Sequence, residues 1–265
     1  MNIALFKQGM KAGWKTLVIF LGVMSMYVTI MVFMFDPELS KVINSFYEIM
    51  PQMMAAFGMN PSETTLTGFL VSYLYGFILI IFPMVYIFIS SNSLIVRHVE
   101  KGSMAYLLAS PNKRSNIAVT QAINLILNIF IMIFYVAFLA IIVSEIAFPG
   151  ELDIKRYLIL NAGAFCLHFF IGGLCFFASC ISNEVRRATL IGCGISVICY
   201  LFKSLANAGE KFEELKYASF FTLFNPNLLI KQSVDGYLMA LCLLAAGIIL
   251  FAAAIYSFNR RDLHI

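Results

Sequence analysis

The chain has 265 residues, of which 61% are hydrophobic and 12% are charged, and its formal net charge is +4. An average soluble domain has about 25% charged residues, so a water-soluble globule cannot cover this much apolar surface. The composition therefore excludes a conventional soluble fold and leaves no room for a soluble catalytic domain. The charges are clustered, and long runs without Asp, Glu, Lys or Arg separate the clusters.

The chain begins with a segment, residues 2–15, that we predict to be an amphipathic (elbow) helix on the membrane surface. Its apolar residues recur at helical spacing on one face: Ile3, Phe6, Met10 and Trp14. Its basic residues recur every four positions on another face: Lys7, Lys11 and Lys15. A tryptophan beside lysines is typical of the membrane interface, so Trp14 and these lysines are candidate interfacial anchors. The alternative is that residues 2–15 simply continue the first span with basic flanks.

Six charge-poor runs predict six membrane-spanning helices, because a span requires about 20 apolar residues. The predicted spans cover residues 16–35, 67–96, 115–144, 157–182, 187–205 and 237–258. The charge-free part of the fifth run, residues 188–202, has 15 residues and would cover only about 22 Å. It reaches a spanning length if the helix extends past Lys203, whose amine can snorkel outward. The predicted fold is therefore a single all-α transmembrane domain over residues 1–265.

The distribution of charges predicts the orientation of these spans. With the N-terminus in the cytoplasm, the inside segments carry a net charge of +8 and the outside segments a net charge of −4. This asymmetry agrees with the positive-inside rule and predicts a multi-pass protein of the cytoplasmic (plasma) membrane with both termini inside. In the last outside segment, residues 217–230 are apolar but too few to span, so they are predicted to form a re-entrant or surface helix.

The loop after the second span, residues 97–114, carries a pattern typical of a docking surface. Gly102 is predicted to break the preceding helix, residues 103–109 can form two helical turns, and Pro111 would end them. An apolar knob would then protrude, formed by Tyr106 with Leu107 or Leu108. Charged residues frame this knob: Glu100, Lys113 and Arg114. The alternative is an ordinary helical hairpin loop with basic flanks.

Four of the polar residues within the predicted spans are candidates for a transport path or for helix packing: Gln121, Asn124, Asn128 and His168. The three amides share one face of the third span, and such residues usually face other helices or a cavity. They either line a transport path or form hydrogen bonds that fix the helical bundle. His168 lies in the middle of the fourth span with no acidic partner in that run, which disfavours a proton relay.

Two segments of the chain resemble the permease subunits of ABC-2 type exporters. After the second span, that family has Glu-x-Gly, a short amphipathic segment and Ser-Pro-x-x-Arg, and this chain has the matching residues Glu100, Gly102, Ser110, Pro111 and Arg114. Just after the last span the family has Phe-x-Arg-Arg-Asp, and this chain has Phe258, Arg260, Arg261 and Asp262 at the matching positions. Gln121 is a departure, because such permeases often carry Lys there. The resemblance covers the whole chain and is greatest to bacterial peptide or toxin exporters.

The resemblance implies where a partner subunit would bind. The first inside loop would be the coupling helix that docks on an ATP-binding subunit, with contributions from Glu100, Gly102, Tyr106, Leu107, Leu108, Pro111 and Arg114. The second inside loop would add a secondary contact through Glu184, Arg186 and Arg187. The expected assembly has two ATP-binding subunits and a second permease subunit, either a copy of this chain or a relative, within the lipid bilayer. No nucleic-acid partner is expected.

The motifs of the chain agree with the resemblance that ATP hydrolysis takes place on a separate subunit. The chain has no Gly-x-x-x-x-Gly-Lys-[Ser/Thr] phosphate-binding loop. We therefore expect no enzyme activity, metal or cofactor in this chain, with ATP and magnesium on the partner subunit.

The sequence indicates the transported cargo less specifically than any other property. An apolar interior with few charges favours an amphipathic or hydrophobic peptide, such as a toxin or antimicrobial, moved out of the cell. A drug, a lipid or a glycan is the alternative cargo. A transporter that works alone is disfavoured, because it would need intramembrane carboxylates.

Overall fold

The computed structural model describes residues 3–36, 45, 48–56, 65–109, 113–208 and 210–261, and within them the chain is helical without strands. Six helices are long and apolar enough to cross a membrane, and we call them spans 1 to 6. They are Ile3–Phe33, Leu66–Glu100, Arg114–Ala147, Ile154–Ile181, Val185–Ala208 and Val234–Arg260. The prediction of an all-α, six-span membrane protein is confirmed. The short fifth run does extend past Lys203, to a helix of 24 residues.

Span 1 differs from the prediction of a separate surface helix over residues 2–15. Residues 3–15 continue directly into the membrane-crossing part, and the whole of Ile3–Phe33 is one helix of 31 residues. At 1.5 Å per residue this helix is about 46 Å long, so one end extends beyond the roughly 30 Å hydrocarbon layer. The physical reason is that no proline lies in this segment to interrupt the helical hydrogen bonds.

The segment between spans 5 and 6 also differs from the prediction of one helix over residues 217–230. It forms two 3-10 helices, Glu210–Ala218 and Phe220–Leu223, and then an α-helix, Pro226–Ile230. The breaks follow from capping side chains. The Ser219 hydroxyl accepts a hydrogen bond from Phe221 N, and Asn225 Oδ1 accepts from Asn227 N and Leu228 N, so each begins a new helix.

Spans 2 and 4 form the centre of the bundle. In their most apolar stretches 78% and 67% of the residues are buried, compared with 22–39% in the other four spans. Span 4 packs against spans 2, 3, 5 and 6. Its approach to span 6 requires Gly173, because a methyl group there would lie 3.0 Å from the Gly247 carbonyl oxygen. Spans 1, 3, 5 and 6 therefore present the outer apolar surface, with exposed residues such as Ile19, Phe134 and Leu201.

The spans alternate in direction, so the bundle has two ends of different composition. We call the end at which span 1 begins the basic end; it carries Arg114, Arg186, Arg187, Arg260 and Arg261. We call the opposite end the acidic end; it carries Glu145, Glu151, Asp153 and Asp235. Short helices connect spans at both ends: Met104–Ala109 lies at the basic end, and Pro51–Ala56 lies at the acidic end together with the three helices between spans 5 and 6.

Candidate functional site

The loop between spans 2 and 3 begins with the helix break that the sequence predicts. Gly102 has a φ of +69°, in the left-handed region that suits a residue without a side chain. Its amide donates to the Val99 carbonyl at 3.0 Å and thereby closes the helix Val96–Glu100. The Ser103 hydroxyl donates to the His98 carbonyl at 3.3 Å and holds the turn that follows. The prediction that Gly102 breaks the helix is confirmed.

The helix after this turn, Met104–Ala109, is the segment expected to dock on a partner. Met104 is fully buried, whereas Ala105 is exposed, so one side of the short helix packs inward. Of the two leucines predicted as alternatives for the knob, Leu107 is half-buried and packs on the core, and it lines a cavity together with Leu5 and Gln8 of span 1. The side chains of Tyr106 and Leu108 lie outside the described part of the chain, as does all of Pro111.

Span 2 is interrupted just before this loop by a side chain from span 4. The helix Leu79–Leu94 ends at Ile95, whose φ of −127° and ψ of −69° are not helical, and resumes as Val96–Glu100. The buried Ser179 hydroxyl donates to Ser91 O at 3.2 Å and accepts from Val96 N at 3.1 Å. A hydroxyl inserted into the hydrogen bonds of a helix is a recognised cause of a kink. Span 4 therefore positions the whole segment that follows residue 95.

Arg261 holds three segments of the basic end together. Its Nη1 donates to Cys180 O at 2.8 Å and to Ser182 O at 2.9 Å, and its Nη2 donates to Asn183 Oδ1. These carbonyls lie at the C-terminal end of span 4, where the last turn of a helix has no intrahelical donor and attracts positive charge. The Arg261 carbonyl in turn accepts a hydrogen bond from Arg114 Nη1 at 2.9 Å.

The loop between spans 4 and 5 thereby lies beside the start of span 3. Glu184, Arg186 and Arg187, the predicted secondary contact, are exposed next to Asn183. Arg187 Nε lies 3.9 Å from Glu184 Oε2, a surface ion pair that contributes little to stability. Glu100 is also exposed, so the structure presents both predicted contact loops at one end of the bundle. Arg114 is half-buried, and at least one of its donors is used within the chain.

Arg261 was not among the predicted site residues, although the sequence places it in a family-like ending. Its partners lie 78–81 residues earlier in the chain, and no spacing rule connects residues so far apart. The predicted neighbour Asp262 lies outside the described residues. Ser179 was missed for a similar reason, since a lone serine in an apolar run has no distinctive pattern.

Two of the three polar amides of span 3 pack against span 1. Asn124 Nδ2 donates to Phe6 O at 3.3 Å and lies 3.4 Å from Gln121 Oε1. Gly9 makes this contact feasible, because a methyl group at that position would lie 2.1 Å from Asn124 Nδ2. Asn128, one turn further along, is buried. The arrangement of Gln121 and Asn124 favours helix packing over a transport path.

His168 connects the two central spans. It is fully buried, with Nδ1 2.7 Å from Ala164 O on its own helix and Nε2 3.3 Å from Ile80 O on span 2. A neutral imidazole has one N–H, so it donates to one of these carbonyls at a time. The shorter distance assigns the proton to Nδ1.

The candidate interfacial anchors lie on the exposed side of span 1. Trp14 is 51% exposed, and Lys7, Lys11 and Lys15 are exposed as well. Trp14, Lys7 and Lys11 line a shallow surface groove together with Phe6 and Met10. An apolar groove edged by amines suits the boundary between acyl chains and head groups, and this role stays a prediction.

The family model for ABC-2 family transporter proteins matches residues 6–263, nearly the whole chain. No curated protein matched the sequence. Among the described residues, no three His, Cys, Asp or Glu side chains come together as metal ligands.

Proposed function

Because this chain belongs to the ABC-2 transporter family, we propose that it is the permease subunit of an ATP-driven exporter and docks its ATP-binding subunit at the basic end. Permeases of this family generally pair with ATP-binding subunits. The observation that carries the proposal is the arrangement of two exposed loops at one end of the bundle, both connected with span 4. Ser179 of span 4 holds the start of the first loop, and the second loop continues span 4 and is held to the end of span 6 by Arg261.

The proposed docking surface combines exposed residues of both loops. The first loop contributes Glu100, Gly102 and Ala105. The second loop contributes Glu184, Arg186 and Arg187. Both signs of charge are present, and such a surface gives specificity for a complementary partner. ATP and magnesium would bind the partner, where hydrolysis would take place.

A force on the first loop would be transmitted to the core of the bundle through two sets of contacts. Met104 and Leu107 pack the short helix against the core, so the helix cannot move alone. The break at Ile95 separates residues 96–109 from the membrane part of span 2, and the Ser179 hydroxyl joins the two sides. Motion of the docked loop would therefore act on spans 2 and 4, the two most buried spans.

The remaining properties are proposed from composition. The charge asymmetry supports a cytoplasmic basic end, which faces the ATP-binding subunits. The exposed apolar faces of the outer spans support pairing with a second permease subunit within the bilayer. An amphipathic or hydrophobic peptide remains the proposed cargo.

A charge-reversal experiment tests the docking surface. The chain would be co-expressed with the ATP-binding subunit encoded beside it, as wild type and as the double variant Glu100→Arg with Ala105→Arg. We expect the double variant to insert normally but to bind the ATP-binding subunit at least about tenfold more weakly, because like charges and added bulk oppose docking. Co-purification and ATP hydrolysis in the complex are the measurements.

The matched control is Glu151→Arg, an exposed charge reversal at the acidic end. It should leave both measurements unchanged. Equal co-purification of wild type and the double variant would show that the ATP-binding subunit docks elsewhere. Tyr106→Asp probes the same surface, and we expect it to uncouple hydrolysis from transport.

A further inference from the structure

A cavity of about 460 Å³ lies at the acidic end, between spans 2, 5 and 6 and the segment 216–227. Its volume is within the range of ligand pockets in proteins. The segment that closes it is attached to two spans: the Ser219 hydroxyl donates to the Cys199 carbonyl of span 5 at 2.6 Å, and the Phe220 ring packs on the Phe170 ring of span 4. The cavity is thus part of the packed fold.

Two lysines line this cavity, and no carboxylate does so among the described residues. Lys216 forms an ion pair with Glu213, whose pKa is lowered by that hydrogen bond and by the charge of Lys216. Lys203 is half-buried and has no acidic partner in the described part of the chain. It lies five residues before the end of span 5, about 7 Å along the helix axis. An unpaired cation at this depth is costly in a membrane protein and is a sign of a binding function.

Neutral hydrogen-bond donors surround the lysines. The side-chain oxygen of Asn225, Oδ1, accepts the hydrogen bonds that cap the helix Pro226–Ile230. The two hydrogens on its side-chain nitrogen, Nδ2, are left for a ligand. Asn207 also lines the cavity. Tyr75 forms part of the wall, but its hydroxyl is fully buried beside Tyr157 and Asn161 and is not a donor to the cavity. Amine and amide donors without a carboxylate suit an anion with several oxygen atoms.

The remaining wall is apolar and lies next to lipid-facing surface. Val71, Phe224 and Met239 line the cavity. On the neighbouring outer face of span 6, Leu238, the residue before Met239, is 54% exposed. A molecule whose anionic group enters the cavity can therefore extend its apolar chains along this face.

We propose that this cavity binds the phosphate group of an anionic lipid, with Lys203 as its principal cation and Lys216 and Asn225 as further donors. The shared chemistry is a phosphate, which a lipid head group or free phosphate could supply, and the apolar wall favours the lipid. The site is separate from the docking surface at the basic end. It remains intact if no ATP-binding subunit docks there.

The test uses the purified full chain in neutral detergent, without an ATP-binding subunit. Short-chain phosphatidylglycerol is titrated while the thermal unfolding midpoint is recorded, with short-chain phosphatidylcholine and inorganic phosphate in parallel at constant ionic strength. We expect phosphatidylglycerol to raise the midpoint at the lowest concentration, because a ligand that binds the folded state stabilises it. Lys203→Gln should weaken its binding about tenfold, the effect of one charge-assisted hydrogen bond.

Two further variants are matched controls for Lys203→Gln. Lys203→Arg keeps the charge and should keep the binding. Lys231→Gln removes an exposed lysine of the same end that does not line the cavity, and it should behave as wild type. The site is refuted if Lys203→Gln, folded by size-exclusion chromatography, binds phosphatidylglycerol as wild type does. It is also refuted if Lys231→Gln loses as much binding. Equal binding of phosphatidylcholine would overturn the anionic ligand, and equal binding of inorganic phosphate would overturn the lipid source.

Discussion

At the basic end, ionised side chains join segments that are distant along the chain. Arg261 connects the end of span 4 to the end of span 6, and Arg114 connects the start of span 3 to Arg261. At the acidic end, the corresponding links use neutral groups. Ser219 attaches the connecting segment to span 5, and the ring of Phe220 packs 4.7 Å from that of Phe170.

The two ends also differ in which cations are engaged. Both arginines that face the bundle at the basic end are used to hold backbone carbonyls. Lys203 at the acidic end has no acidic partner among the described residues and lines a cavity. A rigid attachment suits an end that receives force from a motor subunit, whereas an unpaired cation suits an end that binds a ligand. Three substitutions test this difference, and they are given in order of decreasing expected effect.

Arg261→Ala should have the largest effect on stability. It removes the donors that satisfy two carbonyls and Asn183 Oδ1, and hydrogen bonds to a charged group contribute about 1.5–3 kcal/mol. We expect the free energy of unfolding in detergent to fall by about 3 kcal/mol. Arg260→Ala is the control, because Arg260 is exposed and lies over the Tyr256 ring, a contact worth about 0.5–1 kcal/mol. Similar losses of stability for both variants would contradict the role of Arg261 in joining spans 4 and 6.

Gly9→Ala should have an intermediate effect. The added methyl group would lie 2.1 Å from Asn124 Nδ2, so span 1 or the buried amide must shift, at a cost of about 2 kcal/mol. Gly13→Ala is the matched control on the same helix, because nothing lies within 4 Å of its methyl group. That control should gain about 0.5–1 kcal/mol from better helix propensity. Thermal unfolding measures both, and a stabilised Gly9→Ala would show that spans 1 and 3 do not pack this closely.

Ser179→Ala should have the smallest effect on global stability, about 1–2 kcal/mol, but a local signature. It leaves Val96 N without its partner, so amide hydrogen exchange should become faster across Val96–Glu100. Ser219→Ala removes a hydroxyl that also donates to one backbone carbonyl and accepts from one amide, but at the acidic end. It should lower stability similarly and leave exchange at Val96–Glu100 unchanged. Equal amide exchange across Val96–Glu100 in both variants would show that Ser179 does not hold the first loop to span 4.

Much of the fold follows from local rules and could be predicted. Five apolar runs of sufficient length, and a shorter one that extends past Lys203, give six spans, since the bilayer imposes that length on any crossing helix. The break at Gly102 was also predictable, because a glycine ahead of a short amphipathic segment favours the left-handed conformation that ends a helix. The placement of both contact loops at one end follows from the even alternation of spans.

The residues that join these elements could not be predicted in the same way. The amphipathic pattern of residues 3–15 is the same for a surface helix and for an extension of span 1, and the structure has one helix, with Gly9 packed against Asn124. The sequence pattern does not distinguish Leu107 from Leu108 as the protruding residue, and only the tertiary structure shows that Leu107 is half-buried against the core.

The amino-acid pattern therefore determines the class of the protein, the number of spans and the position of the loop that we propose to dock, since each depends on residues within about one helix length. The tertiary structure alone decides which side chains connect the spans. Arg114 and Arg261 are 147 residues apart, and Ser179 and Val96 are 83 apart, so their contacts depend on how the helices pack. The cavity around Lys203 exists for the same reason, because its wall is assembled from three spans and the segment between two of them.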